Sequence, residues 1–294
     1  YAPPADELDA HGLQAVNILP RPLVTSLVLS SDDPLPLDLL TQQLCDSTRL
    51  TEPVRLPAFS CSDLDVAKRA DPDKPGLLPV HDSRFETAYY RVTVWPDGHL
   101  AIWDKQSGAD LLDPSSGLCL AHFVYVQNET ALSPELTLSQ AIYTLADIRS
   151  GPLAIEIRLH GREDISQAEI RCSVIFYRDV PDIDISVHYS HAVDFLGGFV
   201  KRYQRSIFLA IPLRLDRPSF ITELGHGVMQ DAQRLHISCE DFVVCQHWIA
   251  VQNEQRGVAV FSREQPVFHL GGIHYNRFAA ADRPVSASLY LYAA

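Results

Sequence analysis

Any chemistry in this chain has to come from a few residue clusters. Gly225-His226-Gly227 sets an imidazole on backbone that two glycines free to approach a ligand closely. Glu223 lies near enough in sequence to orient that ring or to share acid and base work with it. A plain turn that needs only its glycines competes with this reading. Gly271-Gly272-Ile273-His274 repeats the pattern with less around it. Asp182 and Asp184 stand at strand spacing on one face, where paired carboxylates can divide the acid and base roles of glycosidic cleavage; following a proline turn, they also fit a solvated strand start. Lys201, Arg202 and Arg205 surround Tyr203, a grouping that can donate to sugar hydroxyls while the aromatic face stacks on a ring, with a solvated strand end as the rival. The sugar-contact candidates are therefore His226, Glu223, Arg202, Tyr203 and Arg205. His188 and His191 would need a bend to converge, because residues three apart on a strand face opposite ways. No H-x-D, H-E-x-x-H or C-x-x-C pattern occurs, and no metal site and no catalytic residue is expected within this chain.

The elements that must position these residues read as strands. Between Phe85 and Asp113, Tyr90, Val92 and Val94 alternate with Arg91, Thr93 and Trp95, and Leu100 and Ile102 alternate with Ala101 and Trp103. Pro96-Asp97-Gly98 between the runs predicts a bulged hairpin turn with Gly98 at positive φ, and Asp104 to Gly108 predicts a second turn of similar chemistry. Leu118 to Gln127 reads as a continuous apolar strand, and Glu135 to Ile148 as either a pair of strands or a short helix. Leu153 to His160, Ala168 to Tyr177 and Ile183 to Tyr189, joined by short polar turns, predict an antiparallel meander. Upstream, residues 1 to 10 read as a linker, 11 to 61 as a small β domain, 62 to 83 as a second linker rich in Pro, Asp and charge, and 84 to 294 as one large β domain.

The stretch E-x-x-Y-Y-R-V-x-V-x-x-D-G-x-L-x-x-x-D-K-x-x-G-x-x-L-L-D, from Glu86 to Asp113, resembles the hairpin that opens the large C-terminal β-sandwich of family 38 glycoside hydrolases, the α-mannosidases. Asn17 and Arg21 resemble the opening of the small β domain that precedes it. Tyr177 to Ile185, Ser206 to Leu213 (with Ile211 where phenylalanine is usual) and His247 to Phe261 (with Gln252 and Asn253 in place of Ser-Asp) resemble further landmarks in the same order. The resemblance implies an all-β chain, a small N-terminal β domain followed by a large two-sheet antiparallel supersandwich of the galactose-mutarotase kind. It also implies that catalysis, with its zinc and its aspartate nucleophile, belongs to an α/β domain which, with a helical bundle, lies outside this chain. The expected partners are carbohydrate and those two domains. The rival expectation is a self-contained carbohydrate-binding or mutarotase-like domain.

Composition agrees with an ordered, substantial core: 294 residues with 46% hydrophobic content. Lys and Arg total 24 against 37 Asp and Glu, a formal charge of −13 that repels nucleic acid and anionic membrane and leaves a neutral substrate such as a sugar compatible. No apolar run is long enough to span a bilayer. Tyr1 in place of a start methionine suggests a processed piece or an excised part of something longer. The six cysteines, mostly in apolar runs, are expected to be free and buried, which leans toward a cytoplasmic over a secreted setting; Asn128-Glu129-Thr130 is a formal glycosylation acceptor that leans the other way.

Overall fold

A computed structural model describes the strand residues 14–17, 23–25, 28–30, 41–43, 48–51, 54–56 and 60–63, and then residues 77–128, 136–190, 204–224, 227–230, 242–262, 265–273 and 286–293. The described chain is all-β: every strand pairing is antiparallel, and its one helical element is a single 3-10 turn at Pro114–Ser116. Asp113 caps that turn by accepting from the Ser115 amide at 2.9 Å.

The early strands pair among themselves. Gln14–Asn17 lies against Ser60–Asp63, Leu23–Thr25 against Val54–Leu56, and Thr48–Thr51 between Val28–Ser30 and Thr41–Gln43. Strands occupy both ends of the stretch expected to be a linker, Ser60–Asp63 and Val80–His81, and residues 64–76 lie outside the described residues.

Among the described residues from Val80 onward the pairing makes four sheets, of five, six, four and four strands, where the expectation was a two-sheet supersandwich. The first contains the expected hairpin, Tyr90–Val94 with Leu100–Asp104, flanked by Arg84–Glu86, Val80–His81 and Ala109–Asp110. The six-stranded sheet runs Leu136–Gln140, His122–Asn128, Gln204–Ile211, Leu289–Tyr292, Val267–Leu270 and Phe242–Val244. The expected meander is the third sheet, Ile142–Ser150, Ala154–Glu163, Ala168–Tyr177 and Ile183–Ser190. The fourth is Gly227–Gln230, Ser219–Leu224, Trp248–Gln252 and Gly257–Phe261. The division follows from how the chain leaves each ladder. Leu136–Gln140 and Ile142–Ser150 are consecutive strands, yet they belong to different sheets: Ala141 still follows the first ladder, its amide donating to the Phe123 carbonyl at 3.0 Å, and Ile142 opens the next one opposite Arg162. The strand expected from Leu118 begins only at His122, after a turn in which Ala121 takes φ +56°.

One apolar cluster draws on all four sheets: Phe85 and Ile102, Phe123 and Phe268, Ile157 and Phe176, Phe220 and Ile249 are all almost fully buried within it. The alternation in the hairpin matches this core, with Val92, Val94, Leu100 and Ile102 buried and Arg91, Trp95 and Trp103 exposed. Its turn forms as expected. The Trp95 amide donates to the His99 carbonyl at 2.9 Å, the Gly98 amide donates to the Trp95 carbonyl at 3.0 Å, and Gly98 has φ +83°. In the second turn Gly108 has φ +64°, and the Asp104 carboxylate accepts from the Gln106 amide at 2.9 Å.

Two contacts lock the sheets together. A Cβ on Gly98 would stand 2.8 Å from the Tyr143 Cβ, and one on Gly161, which faces Tyr143 across the ladder, would stand 2.7 Å from the Tyr143 ring. The tyrosine therefore fills the space that two glycines leave empty. Its hydroxyl oxygen accepts from the Phe123 amide at 3.1 Å, so one side chain touches three sheets. The second contact is the buried carboxylate of Glu163 at the end of its strand. It accepts from the Ile165 amide at 2.8 Å, the Ser166 amide at 2.6 Å, and the hydroxyls of Ser166 and of Ser139 in the six-stranded sheet. Burial pushes this carboxyl up, but the Ser139 and Ser166 hydrogen bonds and the two amides outweigh it and hold it below the usual value.

Two predictions follow from these contacts. Gly98→Ala should lose roughly 1–3 kcal/mol, from strained backbone plus the Tyr143 clash, read as a lower Tm; a Tm within a degree of the parent would contradict the contact. For Glu163, a depressed folded pKa means stability that is present above the unfolded carboxylate pKa and lost as pH falls through the folded one. Glu163→Gln should therefore cost about 1–3 kcal/mol at neutral pH and flatten the acid limb of a stability profile below the ordinary glutamate range; an unaltered acid limb would show that the carboxylate is not held as described.

Candidate functional site

Glu223 sits next to the end of the Ser219–Leu224 strand, on the side that alternates away from buried Phe220 and Thr222. Its carboxylate is half-buried and already engaged. Oε2 lies 3.1 Å from the His247 Nδ1 and accepts from the His247 amide at 3.1 Å, while the Glu223 carbonyl accepts from the Gln246 amide at 3.2 Å. Backbone and side chain of one glutamate thus fix the segment that leads into the Trp248–Gln252 strand. With Nδ1–H directed to the carboxylate, Nε2 of the exposed ring is the nitrogen left to accept from a hydroxyl. Cys245, two residues before, is no nucleophile: burial first, and the Glu223 charge second, push its thiol up.

Of the other sequence candidates, most lie outside the described residues. His226 lies outside the described residues, between Leu224 and Gly227, which face each other in the ladder. Arg202, Tyr203 and Lys201 also lie outside them. Arg205 is placed by its backbone only, opposite Gln127 in the six-stranded sheet, whereas Glu223 belongs to a four-stranded one. Of the five candidates, Glu223 alone has its side chain among the described residues. Asp182 and Asp184 do couple: burial first, and the Asp184 charge second, raise the Asp182 carboxyl, and the Tyr177 hydroxyl donates to Asp184. Nearby, the Tyr90 hydroxyl donates to the Pro181 carbonyl at 2.6 Å, so this end of the meander is anchored to the hairpin. His188 lies 3.2 Å from the Ser186 hydroxyl, and His191 and His274 lie outside the described residues. Gly271 has φ +70° and donates to the Ser288 carbonyl at 2.8 Å, which gives the glycines there a turn role.

Sequence reasoning missed a cleft of about 340 Å³ lined by Asp97, His99, Cys119, His122, Gln140 and Tyr143, at the small end of the range for ligand sites. The His122 Nδ1 accepts from the Cys119 amide at 2.9 Å, which leaves the proton on Nε2. Burial lowers the His122 pKa to about 4, so the ring stays neutral at physiological pH. Burial likewise lifts Cys119 to about 12, which removes a thiolate from the cleft. Its only sequence signal was a histidine inside an apolar run.

Among the described residues no three His, Cys, Asp or Glu side chains come together as a metal site, so the donor set shown here does not fit a zinc ion.

Two solved structures resemble the chain over 99% of its length. One is an α-mannosidase from Enterococcus faecalis V583, with a TM-score of 0.53, and the other is a protein in glycosyl hydrolase family 38 from Enterococcus faecalis, with a TM-score of 0.54. The fold is like that of part of a family 38 glycoside hydrolase. Sequence identity is 10% in both comparisons, so the likeness is one of fold, and the chain spans 36% of the length of each of these proteins. No protein-family model and no curated protein matches the chain. No helix among the described residues is long and apolar enough to cross a membrane.

Because the Glu223 carboxylate holds the His247 amide, Glu223→Ala should speed hydrogen exchange at that amide, with a stability loss of no more than about 1 kcal/mol for so exposed a pair. Unchanged exchange at His247 would show that the carboxylate does not restrain this segment.

Proposed function

We propose that this chain is the C-terminal β portion of an α-mannosidase-like glycoside hydrolase, its four sheets layered as a galactose-mutarotase-like supersandwich that supports hydrolysis by a catalytic domain elsewhere in the protein. The observation that carries this reading is the alignment of 99% of the chain with 36% of two much longer neighbours, one of them named an α-mannosidase and the other a family 38 glycosyl hydrolase. The order of landmarks from Glu86 to Phe261 supports it from the sequence side. Zinc and the nucleophilic carboxylate are proposed for the catalytic domain, and no step is assigned to a metal here.

The chain's own contribution is positional. A core shared by four sheets gives a rigid platform, and the Glu223–His247 pair is a polar, carboxylate-oriented contact suited to sugar hydroxyls at the platform's edge. The acidic balance suits a neutral glycan and opposes a polyanionic one.

The purified 294-residue chain should hydrolyse no aryl α-mannoside and accelerate no sugar anomerisation. Hydrolysis should appear only with the upstream part of the protein present. Mannosidase activity of the isolated chain would overturn the supporting role, and anomerisation lost in Glu223→Gln would replace it with the self-contained mutarotase-like reading.

A further inference from the structure

The cleft beside the hairpin turn holds a polar atom that the fold leaves unused. His122 is 4% exposed, yet its Nε2 meets no hydrogen-bond partner, while Nδ1 accepts from the Cys119 amide at 2.9 Å and so fixes the proton on Nε2. The Ala141 carbonyl favours protonation of the ring without closing a hydrogen bond on Nε2. The ring itself is held in place: it packs edge-on against Tyr143 at 5.2 Å between centroids, and Tyr143 is wedged against Gly98 and Gly161. A buried N–H without an acceptor is costly, and one on the wall of a cleft is satisfied when the cleft is filled.

The remaining walls limit what can fill it. The cleft, about 340 Å³, opens where the hairpin turn, the six-stranded sheet and the meander meet. At its rim stands the Asp97 carboxylate, whose Oδ1 accepts from the His99 amide at 3.2 Å and lies 3.2 Å from His99 Nδ1. Both contacts use Oδ1, and Oδ2 keeps the capacity to accept from a ligand. Asp97 is the one carboxylate on the lining, and no lysine or arginine lines it, so an anion would meet a repelling charge and no fixed cation. An ammonium group would suit the carboxylate but has no lone pair for Nε2–H. A hydroxyl answers both, since it accepts from the imidazole and donates to the carboxylate. Ala141, Ile142 and Tyr143 supply carbon surface between these two polar points.

We propose that this cleft binds a small uncharged polyol, with one hydroxyl oxygen accepting from His122 Nε2–H, a hydroxyl donating to Asp97, and the carbon skeleton against Ala141, Ile142 and Tyr143. The proposal does not rest on the hydrolase reading, because neither Glu223 nor His247 lines the cleft and the sheet that carries them contributes nothing to it.

The test titrates the whole 294-residue chain with glycerol, erythritol and xylitol, following the His122 Nε2–H and the Cys119 amide by NMR, with acetamide and acetate as comparison ligands. At least one polyol should shift both resonances saturably. His122→Asn keeps an oxygen for the Cys119 amide but has no donor at the Nε2 position, and should weaken binding by about tenfold or more at a preserved fold. Asp97→Asn keeps the acceptor for the His99 amide and should weaken binding by about threefold or more. Affinity untouched in both folded variants would overturn the proposal. So would a response to acetamide or acetate with none to the polyols, which would assign the cleft to another ligand class, or no response to any of the five, which would leave Nε2–H to an ordered water. If His122→Asn fails to fold, the parent chain decides, because polyols that leave its own Nε2–H resonance unmoved overturn the proposal.

Discussion

Close approach between backbone segments at Tyr143 is the constraint on which the rest of the structure depends. The ring can lie against Gly161 only because that residue has no Cβ, and the hairpin tip can reach the same tyrosine only because Gly98 has none. The Tyr143 hydroxyl then takes up the Phe123 amide in a third sheet. Next to it, the register of the Ile142–Ser150 strand shifts between Leu145 and Asp147, and the Leu145 amide bonds to the Pro96 carbonyl of the hairpin turn at 2.8 Å. A bulge of this kind turns an amide out of its own ladder and makes it available to another sheet. The junction is thus set by two missing side chains and one redirected amide, with the shared apolar cluster supplying the bulk of the burial.

Buried charge in this protein is managed by neighbours close in sequence as well as by distant ones. Glu163 is held mainly by the turn that follows it, through Ile165 and Ser166, and only Ser139 reaches it from elsewhere. Glu223 depends on His247, which is distant in sequence and brought in by the neighbouring strand. The first arrangement stabilises the fold, since four donors compensate one carboxylate. The second leaves the Nε2 of an exposed imidazole to accept from a ligand. The His122 cleft is different again: it sets a buried neutral imidazole beside the Asp97 carboxylate, which lies 3.2 Å from the His99 ring at its rim.

Four sheets share one apolar core. The sheets are rigidly joined, the polar pair at Glu223 lies at a strand end, and the exposed Trp95 and Trp103 lie on the hairpin. The three free cysteines among the described residues are buried, and burial pushes their thiols up.

The sequence by itself determined what depends on neighbours in the chain. The positive φ of Gly98 and Gly108, the inward set Val92, Val94, Leu100 and Ile102, and the meander from Ala154 to Ser190 all follow from period-two patterning and turn chemistry, which act over a few residues. Only the tertiary structure decided what depends on the meeting of distant segments. The pairing of Glu223 with His247, the passage from one sheet to the next across Ala141, and the packing of Tyr143 between Gly98 and Gly161 leave no periodic trace. A glycine needed for positive φ announces itself beside a proline and an aspartate, as Gly98 does. One needed for space, as Gly161 is, looks like any other strand residue until the ring that covers it is in place.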